Sequence, residues 1–157
     1  MLELFDSIRE ELIVLSVAAM PVSELRGAIP LGVSMGMDPF YSTLISIIGN
    51  ILPVPFLLKL LEPIMAYFEK TRLFSKTVGW VKRRAIKKGK DKIKKYSVLG
   101  LLIFVAIPLP STGAWTGCVV ATLFKIEFKK ALAAITSGVV MAGIIVFILT
   151  YSIVAVF

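Results

Sequence analysis

The chain has 157 residues, 57% of them hydrophobic, with eighteen Lys and Arg against ten Asp and Glu. A mean hydropathy of +0.89 is too high for a soluble domain of this size, so composition alone points to a polytopic membrane protein. There is no histidine and only one cysteine, Cys118, which excludes His-based acid–base chemistry, His-rich metal sites and a disulfide framework. With no nucleophile–base pair or metal-ligand cluster in view, neither an enzyme nor a bound cofactor is expected.

In chain order, residues 1–11 form an acidic interfacial stretch, with Glu3, Asp6, Glu10 and Glu11 against Arg9. A cleavable signal peptide would begin basic, so this stretch reads as part of the mature protein. Residues 12–36 start with Leu12 to Met20, whose nine residues make about 13 Å of helix at 1.5 Å per residue. Pro21, Glu24, Arg26, Gly27 and Pro30 then interrupt the segment at mid-bilayer depth. This predicts a re-entrant hairpin. Asp38-Pro39 opens the next segment as a helix N-cap followed by proline at the first helical position. Residues 39–61 are long enough to cross a hydrocarbon core of about 30 Å, with a kink expected at Pro53 and Pro55.

Residues 62–97 carry the charge excess: twelve of the eighteen basic residues lie between Lys70 and Lys95, with Asp91 as the one acid among them. The positive-inside rule places this loop in the cytoplasm. Its helical pattern, with Phe74, Val78, Val81, Ala85, Ile93 and Tyr96 on one stripe, suits an amphipathic helix on the membrane surface. Lys82, Arg83, Arg84, Lys87 and Lys88 are its candidate contacts with anionic lipid head groups, each worth about 1 kcal/mol near the surface. Stacking aromatics are sparse, so no nucleic-acid partner is expected.

Residues 98–124 repeat the first pattern: Val98 to Ile107 is short, and Pro108, Pro110, Ser111, Thr112 and Gly113 break it. Residues 131–157 then run without a charge or a proline, and Ala134, Gly138 and Ala142 form a small-residue ladder for close helix packing. Four simple spans would put Lys125, Lys129 and Lys130 opposite the Lys70–Lys95 loop, against the positive-inside rule. Two re-entrant hairpins put both basic loops in the cytoplasm, with the N-terminus, the C-terminus and the Gly36–Asp38 turn outside a cell's inner membrane. Arg26 to Gly32 loosely matches Thr112 to Gly117 at an offset of 86, and Asp38 matches Glu127 and Gly49 matches Gly138 at 89. The fold class expected is therefore an all-α membrane protein of two inverted-repeat halves. Each half is a re-entrant helical hairpin followed by a transmembrane helix, and a basic amphipathic cytoplasmic helix joins them.

The Glu24-Leu-Arg-Gly-Ala-Ile-Pro30 run, the Pro108-Leu-Pro-Ser-Thr-Gly-Ala-Trp-Thr-Gly117 run and the basic loop between two hairpin-plus-helix halves resemble the small multidrug export family, a short relative of the DedA or VTT superfamily. The resemblance covers nearly the whole chain and implies two hairpins facing each other and a transport-type role. The superfamily includes carriers of polyprenyl phosphates, lipid scramblases and members linked to proton-dependent drug tolerance. This chain departs from many DedA proteins in lacking an arginine in or just after its second hairpin.

An isolated charge at mid-bilayer costs roughly 2.5–3.5 kcal/mol on insertion scales, so Glu24 and Arg26 need a partner or a wet cavity. They are the leading substrate- or ion-binding candidates, unless they neutralise each other or merely cap helix ends. Ser111, Thr112 and Gly113 join them, because a helix N-terminus attracts anions. Gly27, Pro30, Pro108 and Pro110 shape the turns, and Asn50 and Ser137 are placed to bond broken backbone. Trp80, Trp115 and Tyr151 are read as packing or interface residues. The reading favoured from sequence is translocation of an anionic lipid, such as a polyprenyl phosphate or phospholipid, between the hairpin tips. The alternatives are a proton- or cation-coupled exporter of small molecules, which would need Glu24 free of Arg26, and a non-transporting scaffold or assembly subunit. Membrane lipids and further copies of the chain are the expected partners.

Overall fold

Capping and proline placement account for the helix boundaries in the computed structural model, which describes residues 2–69, 90–109 and 112–156. The described residues form α-helices and no strand: α1 (Leu2–Ala19), α2 (Glu24–Ser34), α3 (Pro39–Ile51), α4 (Val54–Glu69), α5 (Lys90–Ala106), α6 (Ala114–Leu123) and α7 (Phe128–Val156). Asp38 caps α3 as its sequence predicts: its carboxylate accepts from Phe40 N at 2.9 Å and Tyr41 N at 3.1 Å, and Pro39 takes the first helical position. The helix ends at Leu52-Pro53 because proline cannot donate the next bond, and α4 continues the same apolar run. Together they form one candidate membrane span, Pro39–Tyr67, and α7 provides the other, Phe128–Ile153.

Exposure separates these spans from the core helices of a soluble protein. Only 28% and 39% of their apolar windows are buried, and Leu44, Ile48, Leu52, Phe56 and Leu60 on one and Met141, Ile144, Ile148 and Leu149 on the other face outward. Apolar surface of that extent would drive aggregation in water and suits hydrocarbon. A membrane protein is the consistent reading.

The packing recurs along the chain. α1 lies against α2 and α3, α5 lies against α6 and α7, and the two groups meet where α3 and α2 touch α7 and α4 touches α6. Glycines set the closest approaches: a Cβ on Gly49 would sit 2.6 Å from Leu15 O, and one on Gly138 would sit 2.9 Å from Leu102 O. The α2 and α6 helices end alike. Gly36 N donates to Val33 O and Met37 N to Gly32 O; 89 positions on, Lys125 N donates to Thr122 O and Ile126 N to Ala121 O. Such a double closure needs a left-handed residue; Gly36, at φ 94°, adopts it without a steric penalty, and Lys125 takes it at φ 51°. The small-residue ladder behaves as its spacing predicts, with Ala134 and Ala142 buried and Gly138 against α5.

The helices differ in length from the sequence reading. α1 begins at Leu2 and so includes most of residues 1–11, α4 runs on to Glu69 past residue 61, α5 begins at Lys90 rather than at residue 98, and α7 starts at Phe128 rather than at residue 131. The first break is short: only Met20 to Ser23 leave the helix, and α2 begins at Glu24 and carries Pro30 in its interior. Proline there removes its own N–H bond and crowds the carbonyl four residues back, which the neighbouring helices' packing tolerates. Pro110, Ser111, Trp80 and the basic surface residues Lys82, Arg83, Arg84, Lys87 and Lys88 lie outside the described residues.

Candidate functional site

The two breaks, 81 to 91 residues apart in sequence, meet in space, and the charges of the first satisfy the backbone of the second. Arg26, on the first turn of α2, extends its guanidinium across the end of α5: Nη1 donates to Leu109 O, and Nη2 donates to Thr112 O and, at 3.1 Å, to Thr112 Oγ1. Ile107 O lies 3.5 Å from Nη2. These carbonyls follow the last residue of α5, where the helical ladder has ended, so a fork-shaped cation suits them both as donor and as charge.

Glu24 does the converse. Its carboxylate lies over the start of α6, where Oε1 accepts from Trp115 N at 3.3 Å and the Ala114 N–H also reaches it. Anions are favoured at a helix N-terminus for the same dipolar reason that cations are favoured at a C-terminus. Gly113 permits this approach: a Cβ there would lie 1.8 Å from Glu24 Oε2. Glu24 is 6% exposed and has a left-handed backbone, φ 48°, a conformation that costs a non-glycine residue of order 1–3 kcal/mol and that packing must hold in place.

Thr112 joins both sides of the second break. Its hydroxyl lies 2.7 Å from Ile107 O and 2.9 Å from Leu109 O, and it accepts from Leu109 N at 3.2 Å. Trp115 fastens the same corner to α1 by donating Nε1–H to Ala19 O at 3.1 Å. The sequence places Trp115 among packing or interface residues; its indole bond to the last residue of α1 is a specific tie that no periodicity signals.

A narrow crevice lies at this crossing, walled by Glu24, Arg26, Asn50, Gly113, Val139 and Ala142 among others, with no space for a water molecule. Asn50 is 1% exposed and its Oδ1 has no hydrogen-bond partner; Ser46, one turn earlier on α3, is fully buried with its Oγ likewise unpartnered. Asn50 therefore lies at the site, yet its carbonyl oxygen bonds no broken backbone. Ser137 lies outside the site, exposed on the outer side of α7. Gly27 and Pro30 are exposed on α2, and Pro108 is half-buried in the second break. Among the described residues no hydrogen bond joins Glu24 to Arg26.

A wider cavity of about 480 Å³ opens between α4, the end of α6 and the start of α7. Leu58, Met65, Ala66, Ile126 and Phe128 give it an apolar wall, and Glu62, Lys125 and Glu127 bring charge of both signs to it, with Glu127 Oε2 paired to Lys130 Nζ at 2.6 Å. No sequence pattern signals it, because its walls come from both halves of the chain. Among known families, the one described as "Putative small multi-drug export protein" matches residues 24–145. No curated protein and no solved structure matches the chain.

Proposed function

The chain belongs to the family described as "Putative small multi-drug export protein", and on that premise we propose that it is a proton-coupled exporter of small, predominantly cationic molecules rather than a lipid carrier or an enzyme. The observation that carries this reading is that Glu24 and Arg26 hydrogen-bond to different partners rather than to each other. Arg26 is engaged by carbonyls of the second break, and Glu24 rests on the N-terminus of α6. A buried carboxylate held by backbone dipoles, with no hydrogen-bonded cation, is a group whose charge can be cancelled by a proton or matched by a cationic substrate. Protonation would weaken its hold on α6, and that would loosen the crossing.

The same contacts weigh against the anionic-lipid reading. The two features that favoured it, the Arg26 guanidinium and the free N–H groups after the second break, are already used, one by carbonyls and the other by Glu24. The 480 Å³ cavity is in the range of sites for drug-sized ligands, and its largely apolar wall includes the Glu62 carboxylate. It lies beside the second half of α4 and the Lys125–Phe128 turn, the end that charge distribution assigns to the cytoplasm, where an exporter takes up its cargo.

In this reading the two halves are inverted repeats whose broken segments enter the bilayer as re-entrant hairpins and meet at its midplane. The recurrence of the helix endings and glycine contacts at matching offsets supports it, as does the reciprocal capping of one break by the other. With two spans to shield the crossing, and Met20, Val22 and Leu109 exposed beside it, the working unit is a homo-oligomer in an inner membrane.

The test is transport in proteoliposomes under an imposed pH gradient, with a fluorescent lipophilic cation and a labelled polyprenyl phosphate offered separately. Gradient-driven movement of the cation, lost in Glu24→Gln at equal protein content, is the expected result. Movement of the polyprenyl phosphate alone, or cation transport undiminished in Glu24→Gln, would overturn the reading.

A further inference from the structure

Hydroxyls within apolar helices normally bond the carbonyl one turn back, and this chain follows the habit elsewhere. Thr43 Oγ1 donates to Pro39 O, Thr122 Oγ1 to Cys118 O and Ser152 Oγ to Ile148 O, all at 2.7–2.8 Å. Ser46 does not. It lies in a row with Ser42 and Asn50, one helical turn apart on the same face of α3, and all three are at most 1% exposed. Ser42 Oγ reaches across to Ile29 O of α2 at 3.0 Å, which places the row along the seam between α2 and α3. Beyond Ser42, Ser46 Oγ and Asn50 Oδ1 have no partner, and Asn50 lines the crevice that holds Glu24.

Packing does not demand this polarity. The residues 89 positions on, Ala131, Ile135 and Val139, occupy the equivalent face of α7, are equally buried and are wholly apolar. A buried polar atom without a hydrogen bond is costly relative to one that is paired, so two in succession on one seam call for a partner that comes and goes.

We propose that the Ser42, Ser46 and Asn50 face of α3 is a water-borne proton path from the Asp38 end of that helix to Glu24. The proposal rests on the preceding reading, in which Glu24 exchanges a proton. The row spans eight residues, about 12 Å at 1.5 Å per residue, from near the capped end of α3 to the crevice. A hydronium ion at its inner end gives its proton to the Glu24 carboxylate and leaves as water. The neutral carboxyl then has an O–H to donate, and Asn50 Oδ1 is the unpaired acceptor in the same crevice. Ionised Glu24 thus belongs to the α6 N-terminus, and protonated Glu24 belongs to Asn50. The charged or titratable groups within reach of Glu24 are Arg26 on its own helix and Cys118 on α6; α3, α5 and α7 bring none to the crevice. Water enters as α2 and α3 part, since the closed crevice has no space for it.

Thiol labelling tests the path without reference to transport. In a Cys118→Ala background, single variants Ser46→Cys, Asn50→Cys and Ile135→Cys are treated in vesicles with a small, charged, membrane-impermeant methanethiosulfonate from either side. Ser34→Cys, exposed at the last residue of α2, marks the Asp38 face. Only a hydrated thiol ionises and reacts, so Ser46→Cys and Asn50→Cys should label at least about tenfold faster than Ile135→Cys, and from the side that labels Ser34→Cys. Should Ser46→Cys fail to insert, Asn50→Cys carries the same comparison. Rates no higher than that of Ile135→Cys, or labelling from the opposite side alone, would overturn the path. A Glu24→Gln variant that transports normally would instead remove the exporter reading and leave the labelling pattern intact.

Discussion

At the residue scale, Gly113 and Arg26 offer the sharpest tests of the crossing. Gly113→Ala adds a methyl group where Glu24 Oε2 would be 1.8 Å away, so the carboxylate must leave the α6 N-terminus. Overpacking of this kind typically costs about 1–3 kcal/mol, and it should appear as a lower thermal midpoint in detergent together with loss of transport. Arg26→Ala strips donors from Leu109 O and Thr112 O and should destabilise by about 1–3 kcal/mol. Arg26→Lys should recover only part of this, because an ammonium cannot fork across two carbonyls. If Arg26→Lys melts with the native protein, the fork is not what holds the break. Glu24 and Arg26 were legible as a pair because charges inside an apolar segment stand out. Their partners were not: Leu109 O, Thr112 O and Trp115 N are backbone groups of the other break, and no side-chain pattern announces a backbone acceptor. Asn50 was visible as a polar residue in a span, but its lack of a partner appears only once its neighbours are in place.

At the element scale, close approach at glycine organises the helix pairs, and two glycines in the second half make a controlled comparison. Gly138→Ala directs a methyl at Val105 and Leu102 O of α5, with contacts of 2.8 and 2.9 Å. Backbone cannot give way as a side-chain end can, so a loss of about 1–3 kcal/mol is expected. Gly100→Ala meets nothing within 4 Å and should be neutral or stabilising by up to about 1 kcal/mol, through helix propensity alone. Thermal unfolding of the two variants side by side reads the difference, and equal midpoints would mean that α5 and α7 are not tightly packed at Gly138. Asp38→Ala should cost about 1 kcal/mol, the usual worth of an N-cap, since its carboxylate holds the N–H groups of Phe40 and Tyr41. The cap, the Pro53 break and the Ala134–Gly138–Ala142 ladder were readable because each rests on local stereochemistry or helical spacing. The extent of the first break was not: Pro30 counted as a breaker, yet α2 carries it in its interior because tertiary packing outweighs the loss of one hydrogen bond. The α1 start at Leu2 was hidden for a related reason, since charges near a helix end resemble an interfacial segment.

At the scale of the whole molecule, the decisive question is how the chain lies in the bilayer. Helix length admits two answers. α1 with 18 residues and α5 with 17 are close to the roughly 20 needed to span, so four crossings are sterically allowed. Charge and capping favour the other arrangement. Arg26 and Glu24 reach the end of α5 and the start of α6; in hydrocarbon such ends persist only where protein satisfies them, and the same ends at a water interface would need no such help. This supports the proposed placement of the two breaks at depth, in which the hairpins that carry them would enter from opposite faces if the basic stretches around Lys70–Lys95 and Lys125–Lys130 share one side. Accessibility of a tag at Met1 and another beside Gly89 distinguishes the arrangements directly. Re-entrant hairpins put the two tags on opposite sides of the membrane, so a protease or impermeant label applied from outside should reach the Met1 tag and spare the other. Four simple spans put both on the same side, and a pair of tags that are always reached together would remove the inverted arrangement and, with it, the midplane position of Glu24.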